Sequence, residues 1–149
     1  MADNEIQFHD IGMRGMPTEV KQVIVMRTDL GMRKGKMIAQ GAHACMAAVF
    51  KNSFIAPSDN GPLDHKVIPY TQDLETWFND CFTKVCLKAT SEEMLLDIEK
   101  QANELGIVNF LITDAGKTEF NGVPTRTCIA LGPAPAALID QVTGDLKLL

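Results

Sequence analysis

Apolar and polar positions along this chain change rhythm several times, and each change marks an element. Val23–Met26, VIVM, is an unbroken apolar run with the β-branched content of a buried strand, which places strand one at Lys21–Arg27. A polar turn, TDLGMRKGK, follows, and then an alanine- and glycine-rich segment to Phe50 that reads as a helix. Along that helix Ile38, Ala42, Cys45 and Val49 recur at i, i+4, i+7 and i+11 and predict one apolar face. Lys36, Gln40, His43 and Ala47 repeat the same spacing on a second stripe, so a lysine, a glutamine and a histidine share one side. Lys51–Gln72 carries Pro57, Pro62, Pro69 and the turn signal Asp59-Asn60-Gly61-Pro62. A connection of that length predicts a functional flap or a mobile loop over 51–72.

Further on, Asp73 is the expected cap of a short helix through Trp77 and Phe78, and Thr83–Ala89 alternates as strand two. Thr90 and Glu93 have capping-box spacing ahead of a helix marked by Met94, Ile98, Ala102 and Leu105, which Gly106 ends. Ile107–Thr113 is strand three, Arg126–Leu131 is strand four stopped by Gly132-Pro133, and Pro135 opens a last helix through Val142. Strands interleaved with helices mean an α/β domain with helices on both sheet faces. The connection from Asp114 to Thr125 is too short and glycine-bearing for a crossover helix, so strands three and four are antiparallel and the sheet, of about four strands, is mixed. Residues 1–20, broken by Gly12, Gly15 and Pro17, read as a lead-in to a single domain over 21–149.

Composition changes this picture little. With 46% apolar and 22% charged residues over 149 positions, the chain reads as one soluble domain, with no apolar stretch near the ~20 residues of a membrane span. The polar, acidic start MADNEIQFHD resembles neither a secretory signal nor a transit peptide, and a cytoplasmic protein is expected. Cys45, Cys81, Cys86 and Cys128 are scattered and do not cluster with His9, His43 or His65, so free thiols and no metal site are expected.

Charge changes it more. The net charge of −5 argues against a protein that coats nucleic acid indiscriminately, yet Arg14 to Lys36 holds six Lys or Arg against Glu19 and Asp29. Arg33, Lys34 and Lys36 stand where the first helix begins, the end at which the helix dipole disfavours cations and free N–H groups favour an anion. Such a local conflict points to function. Gly31–Met37 superficially suggests a phosphate loop, but its glycines are one residue too close and Met37 replaces the Ser or Thr that would hold magnesium. No G-x-S-x-G elbow supports a serine hydrolase. Ligands of such sheets gather at the carboxyl ends of strands. Thr28 to Lys36 and Asp114-Ala-Gly-Lys-Thr118 lie at two such ends.

Three segments, VIVMRTDLGMRKGKMIAQGAHA, SEEMLLDIEKQANELGIVNFLITDAGKTEF and TCIALGPAPAALIDQVTGDLKLL, together resemble the archaeal–eukaryotic type 2 peptidyl-tRNA hydrolases, in order, from about Lys21 to Leu149. The resemblance implies a three-layer α/β/α fold with a mixed sheet, a homodimer, no metal or other cofactor, and hydrolysis of the ester that joins a peptide to the 3′ end of tRNA. It assigns catalysis to Lys36, Asp114, Thr118 and Thr127, and matches Gln40 and His43 to the family's Q-x-x-H. Arg33, Lys34, Lys117 and Arg126 are the expected phosphate contacts, with Lys117 keeping the charge of the family's usual basic residue without a bidentate grip. The 51–72 loop and residues 1–20 have no counterpart in the family pattern, and Gly122-Val-Pro-Thr125 replaces the family's usual turn before strand four. Two other classes stay open: a tRNA- or protein-binding module without turnover, and a dimeric adaptor.

Overall fold

The structure is a computed structural model that describes residues 19–149. The expected lead-in, apart from its last two residues, lies outside the described residues. The elements run β1 (Val20–Arg27), α1 (Lys34–Phe50), β2 (Phe54–Ala56), β3 (His65–Val67), α2 (Gln72–Asn79), β4 (Lys84–Ala89), α3 (Glu92–Glu104), β5 (Asn109–Asp114), β6 (Thr125–Pro135) and α4 (Ala136–Thr143). Four strands form one sheet in the order β4-β1-β6-β5. β1 and β4 are parallel, and β6 runs antiparallel to both β1 and β5, so the sheet is mixed.

The central strands are buried on both faces, which is why β1 reads as an unbroken apolar run. Val23, Val25, Ile129 and Leu131 point to one side, against Leu95, Ile98 and Ala102 of α3 and Ile139 of α4. Ile24, Met26, Cys128 and Ala130 point to the other, against Ala44 and Ala48 of α1. α2 joins α1 on that side through Leu74 and Trp77, which pack with Val20, Cys45 and Val49. The result is three layers, α/β/α.

Several local expectations are corrected. The face that α1 buries is Gln40, Gly41, Ala44 and Ala48, one position round from the expected stripe. Ile38 is 73% exposed, and the face turned to Ile24 and Met26 carries Gly41, where a Cβ would stand 3.7 Å from the Met26 side chain. The 51–72 connection, expected as a flap or mobile loop, contains an antiparallel hairpin of β2 and β3 across the Asp59–Pro62 turn. Thr71, not Asp73, caps α2, its hydroxyl accepting from the Leu74 N–H. Ser91, not Thr90, caps α3 through the Met94 N–H, so no capping box forms. Gly106, at φ +68°, does close α3: its N–H reaches the Asn103 carbonyl and that of Ile107 the Ala102 carbonyl. Pro135 precedes α4 as its cap rather than opening its first turn.

Strand β6 departs most from expectation. It does not stop at Gly132-Pro133 but continues to Pro135, with an extra residue against β1 between Leu131 and Ala134 that accommodates the proline's missing N–H. Gly132 is required there: at φ +90°, a Cβ would press to 2.6 Å from the Lys21 carbonyl. A second extra residue occurs against β5, where Ile112 faces Cys128 but Thr113 faces Arg126. Thr127 is the residue left over. This bulge turns Thr127 and Cys128 toward α1, and Arg126 toward α3.

Candidate active site

The carboxyl ends of β1 and β5 and the start of β6 meet at one end of the sheet, beside the first turn of α1. Arg33 is the extended cap residue of α1, which makes Lys36 the third residue of the helix. From there its Nζ donates to Asp114 Oδ2 at 2.8 Å and to Thr118 Oγ1 at 3.0 Å, and lies 5.5 Å from the centre of the Phe120 ring. The Lys36 and Asp114 side chains are only 11% and 17% exposed.

The other carboxylate oxygen of Asp114 accepts from the Gly116 N–H at 2.9 Å. That turn needs glycine: Gly116 sits at φ +77°, and a Cβ there would collide with the Val123 backbone. Gln40, one turn along α1 from Lys36 and almost fully buried, donates from Nε2 to Asp114 Oδ2 at 3.0 Å. Its Oε1 accepts from the Thr127 hydroxyl at 2.6 Å, and the Asp114 carboxylate, which can only accept, fixes which end of the amide is which. Cys128 donates its thiol to the Gln40 carbonyl at 3.3 Å, and burial pushes that thiol up to about 12, so it is not a thiolate nucleophile. A relay thus runs from Lys36 through Asp114 and Gln40 to Thr127, joining α1, β5 and β6.

The relay forms one side of an open cavity of about 570 Å³. Lys36, Gln40, Asp114 and Thr118 all line it, together with Arg33 and His43. Thr127 is fully buried behind Gln40. Lys34 and Lys117 are exposed on the first turn of α1 and on the loop after β5, outside the cavity lining. Arg126 is not brought to the cavity: the bulge sends it to the α3 side, where it pairs with Glu92 Oε1 at 2.6 Å.

The hydrogen bond from Lys36, aided by those from Gly116 and Gln40, holds the Asp114 carboxyl below the usual carboxylate range against the opposing effect of desolvation. Asp114 is therefore ionised at neutral pH and a weak base. One proton of the Lys36 ammonium has no partner among the described residues, and Thr118 accepts from Lys36, leaving its own hydroxyl proton to donate outward. Such an arrangement can orient a water and stabilise negative charge developing on a substrate oxygen. Among the described residues no three His, Cys, Asp or Glu come together as a metal site requires.

Two participants escaped the sequence reading. Glu119 lines the cavity and takes the Arg33 Nε at 2.7 Å, and the Phe120 ring backs the Lys36 ammonium. Their nearness to Asp114-Ala-Gly-Lys-Thr118 was the available signal, but nothing in spacing told a loop glutamate facing a helix start from one facing solvent.

Known proteins share this arrangement of sequence and fold. Residues 20–149 match a family model described as Peptidyl-tRNA hydrolase PTH2. A probable peptidyl-tRNA hydrolase 2 of Dictyostelium discoideum is 40% identical over 147 residues, 98% of this chain but 60% of that protein, so the chain spans less than two thirds of that relative. A peptidyl-tRNA hydrolase of Thermococcus sibiricus is 40% identical over 131 residues, 87% of this chain and 97% of that one. A solved structure of an Agrobacterium tumefaciens protein of unknown function shares the fold at TM-score 0.52 and 14% identity, over 87% of this chain and 97% of that one. With the match running from the first strand to the last residue, the chain belongs to the peptidyl-tRNA hydrolase PTH2 family.

Proposed function

We propose that this protein hydrolyses the ester between the peptide, or an N-blocked amino acid, and the 3′ ribose of tRNA, freeing the tRNA for reuse. The observation that carries the reading is the Lys36–Asp114–Gln40–Thr127 relay at an open cavity, in a chain of this family. An aminoacyl ester is already reactive, so the demands on the protein are a placed water and charge stabilisation. Asp114, kept ionised by Lys36, orients the water whose oxygen attacks the ester carbonyl carbon; its low basicity makes orientation its main task. Lys36 and the Thr118 hydroxyl stabilise the oxyanion that forms as the water attacks; on its collapse the bond to the ribose oxygen breaks, and that oxygen takes up the proton the water has shed. Thr127 acts through Gln40, holding the amide so that its N–H₂ end faces Asp114.

Arg33, Lys34 and Lys117 are the cations we assign to phosphates of the tRNA, with His43 on the cavity wall beside the ester. Arg126, engaged by Glu92 on the α3 side, is left out of that set. The domain over 21–149 carries the whole site. A homodimer working in the cytoplasm, where peptidyl-tRNA arises, completes the proposal. Among the described residues no helix is long and apolar enough to cross a membrane.

The test is incubation of purified protein with N-acetyl-aminoacyl-tRNA, without added metal, following release of the blocked amino acid. Cleavage lost in both Lys36→Ala and Asp114→Ala supports the reading. Binding of tRNA without cleavage by the unaltered protein overturns it in favour of a binding module.

A further inference from the structure

The pair formed by Arg33 and Glu119 is lopsided. The Arg33 side chain is 80% exposed and that of Glu119 only 14%. Both carboxylate oxygens of Glu119 are turned to the same residue: Oε1 accepts from Arg33 Nε at 2.7 Å, and Oε2 from the Arg33 backbone N–H at 3.4 Å. In a capping box the N-cap N–H is covered by a carboxylate from the third residue of the same helix. Here that third residue is Lys36, which turns to Asp114 instead. Glu119, 86 residues further along the chain, covers the N–H in its place.

The mode of contact matters as much. Glu119 holds Arg33 by Nε, so among the described residues both terminal amino groups of the guanidinium, the planar edge that suits a phosphate, have no partner, and Arg33 lines the cavity. A long side chain that would otherwise have to be ordered on binding is thereby ordered beforehand.

We propose that Glu119 is a positioning residue: it fixes Arg33 so that the free edge of the guanidinium takes a phosphate of the tRNA 3′ end while the ester lies against Lys36. The inference rests on the hydrolase reading for its substrate and goes beyond it in giving an acidic residue a part in binding a polyanion. Glu119 does not touch the substrate. Its effect passes through Arg33, and its ionisation is secured by Arg33, which holds the carboxyl below its usual range.

The experiment compares Glu119→Ala, Glu119→Gln, Arg33→Ala and the Arg33→Ala/Glu119→Ala double variant. Turnover of N-acetyl-aminoacyl-tRNA and the Kd for a short unacylated RNA with the tRNA 3′ sequence are read in parallel. Glu119→Ala is expected to raise KM and Kd about three- to tenfold, the cost of ordering one flexible side chain, with kcat within about twofold. Glu119→Gln, whose amide oxygen still accepts from Nε but whose NH2 replaces the acceptor facing the Arg33 N–H, is expected to fall between Glu119→Ala and the unaltered protein. In the Arg33→Ala background the loss of Glu119 adds nothing. Unchanged KM and Kd in Glu119→Ala, a fall in kcat alone, or an equal effect in the Arg33→Ala background would each overturn the proposal. Cleavage by the unaltered protein with Glu119→Ala unaffected sinks the positioning role and leaves the hydrolase. The expected Kd pattern without any cleavage does the reverse.

Discussion

Two charged clusters occupy the same end of the sheet on its two opposite faces. On the α3 side Arg27 grips Asp29 with Nε at 3.1 Å and NH2 at 2.6 Å, and gives NH1 to the Arg126 carbonyl at 3.0 Å. Glu92 stands 3.5 Å from Arg27 and bonds Arg126. Two cations meet two anions, and every nitrogen of the Arg27 guanidinium has a partner. On the α1 side, Lys36 and Asp114 are as closely paired, but one ammonium proton and the Thr118 hydroxyl proton have no partner among the described residues, and both side chains line a cavity. The lesson is that ion pairing does not distinguish a clamp from a site. Unspent donors beside open space do. The Arg27 cluster pins the turn from which α1 starts, and the Lys36 cluster has groups to offer a substrate.

The widest separation between the two should come from removing one charge in each. Lys36→Ala and Asp114→Ala are expected to lower kcat by about 10²–10⁴-fold while the circular dichroism spectrum stays unchanged. Arg27→Ala should instead lose about 1–3 kcal/mol of folding stability in urea, because Asp29 and the Arg126 carbonyl lose their partners, with turnover per folded molecule much less affected. If Arg27→Ala abolished turnover in a protein of full stability, the contrast would collapse. Thr127→Val, nearly the same shape, leaves Gln40 Oε1 without its donor and should cost about 1 kcal/mol, with kcat reduced and Thr127→Ser restoring it.

Acid affects the two clusters alike, and removing Lys36 tells them apart. Asp29 and Asp114 are both held below the ordinary carboxylate value of 3.8, chiefly by hydrogen bonds from Arg27 and Lys36 respectively. A depressed folded value stabilises the protein above the unfolded one, and that contribution is lost as pH falls through the folded value. Stability and turnover should therefore hold from neutrality to about pH 5 and decline only in stronger acid. In Lys36→Met, carboxyl NMR titration should show Asp114 moving up while Asp29 stays put. The smallest effect is expected at the rim: Lys34→Ala or Lys117→Ala should flatten the dependence of log Kd on log salt by about 0.7 for each phosphate no longer neutralised.

Much of this architecture was legible in the chain. The run Val23–Met26, the helix stop at Gly106 and the short, glycine-bearing 114–125 connection express local physics, and β1, the end of α3 and the antiparallel β5–β6 pair follow from them. Lys36, Gln40 and Asp114 could be set near one another because helical spacing and strand ends are regular. What could not be read depended on partners distant in sequence. The buried face of α1 was misplaced because Ile38 outweighs Gln40 on any hydrophobicity scale, whereas Gln40 is buried by the bonds Asp114 and Thr127 give it. The caps at Thr71 and Ser91 fell within two residues of the expected ones, the usual margin at helix ends. The β2–β3 hairpin hid in two three-residue strands, too short to show a period. Arg126 was set with the site because a strand of period two would place it on the face of Cys128.

The bulge at Thr127 has a consequence for how such a site can be gained or lost. On either side of it β6 keeps its inward and outward alternation: Cys128 and Ala130 face α1, and Arg126 faces α3 beside Glu92. Excising Thr127 would close the ladder between β5 and β6 and leave every other side chain of the strand on the face it already occupies. The hydroxyl that steers Gln40 is thus a detachable part. It is a one-residue insertion by which a sheet can acquire or shed a working group without being refolded around it.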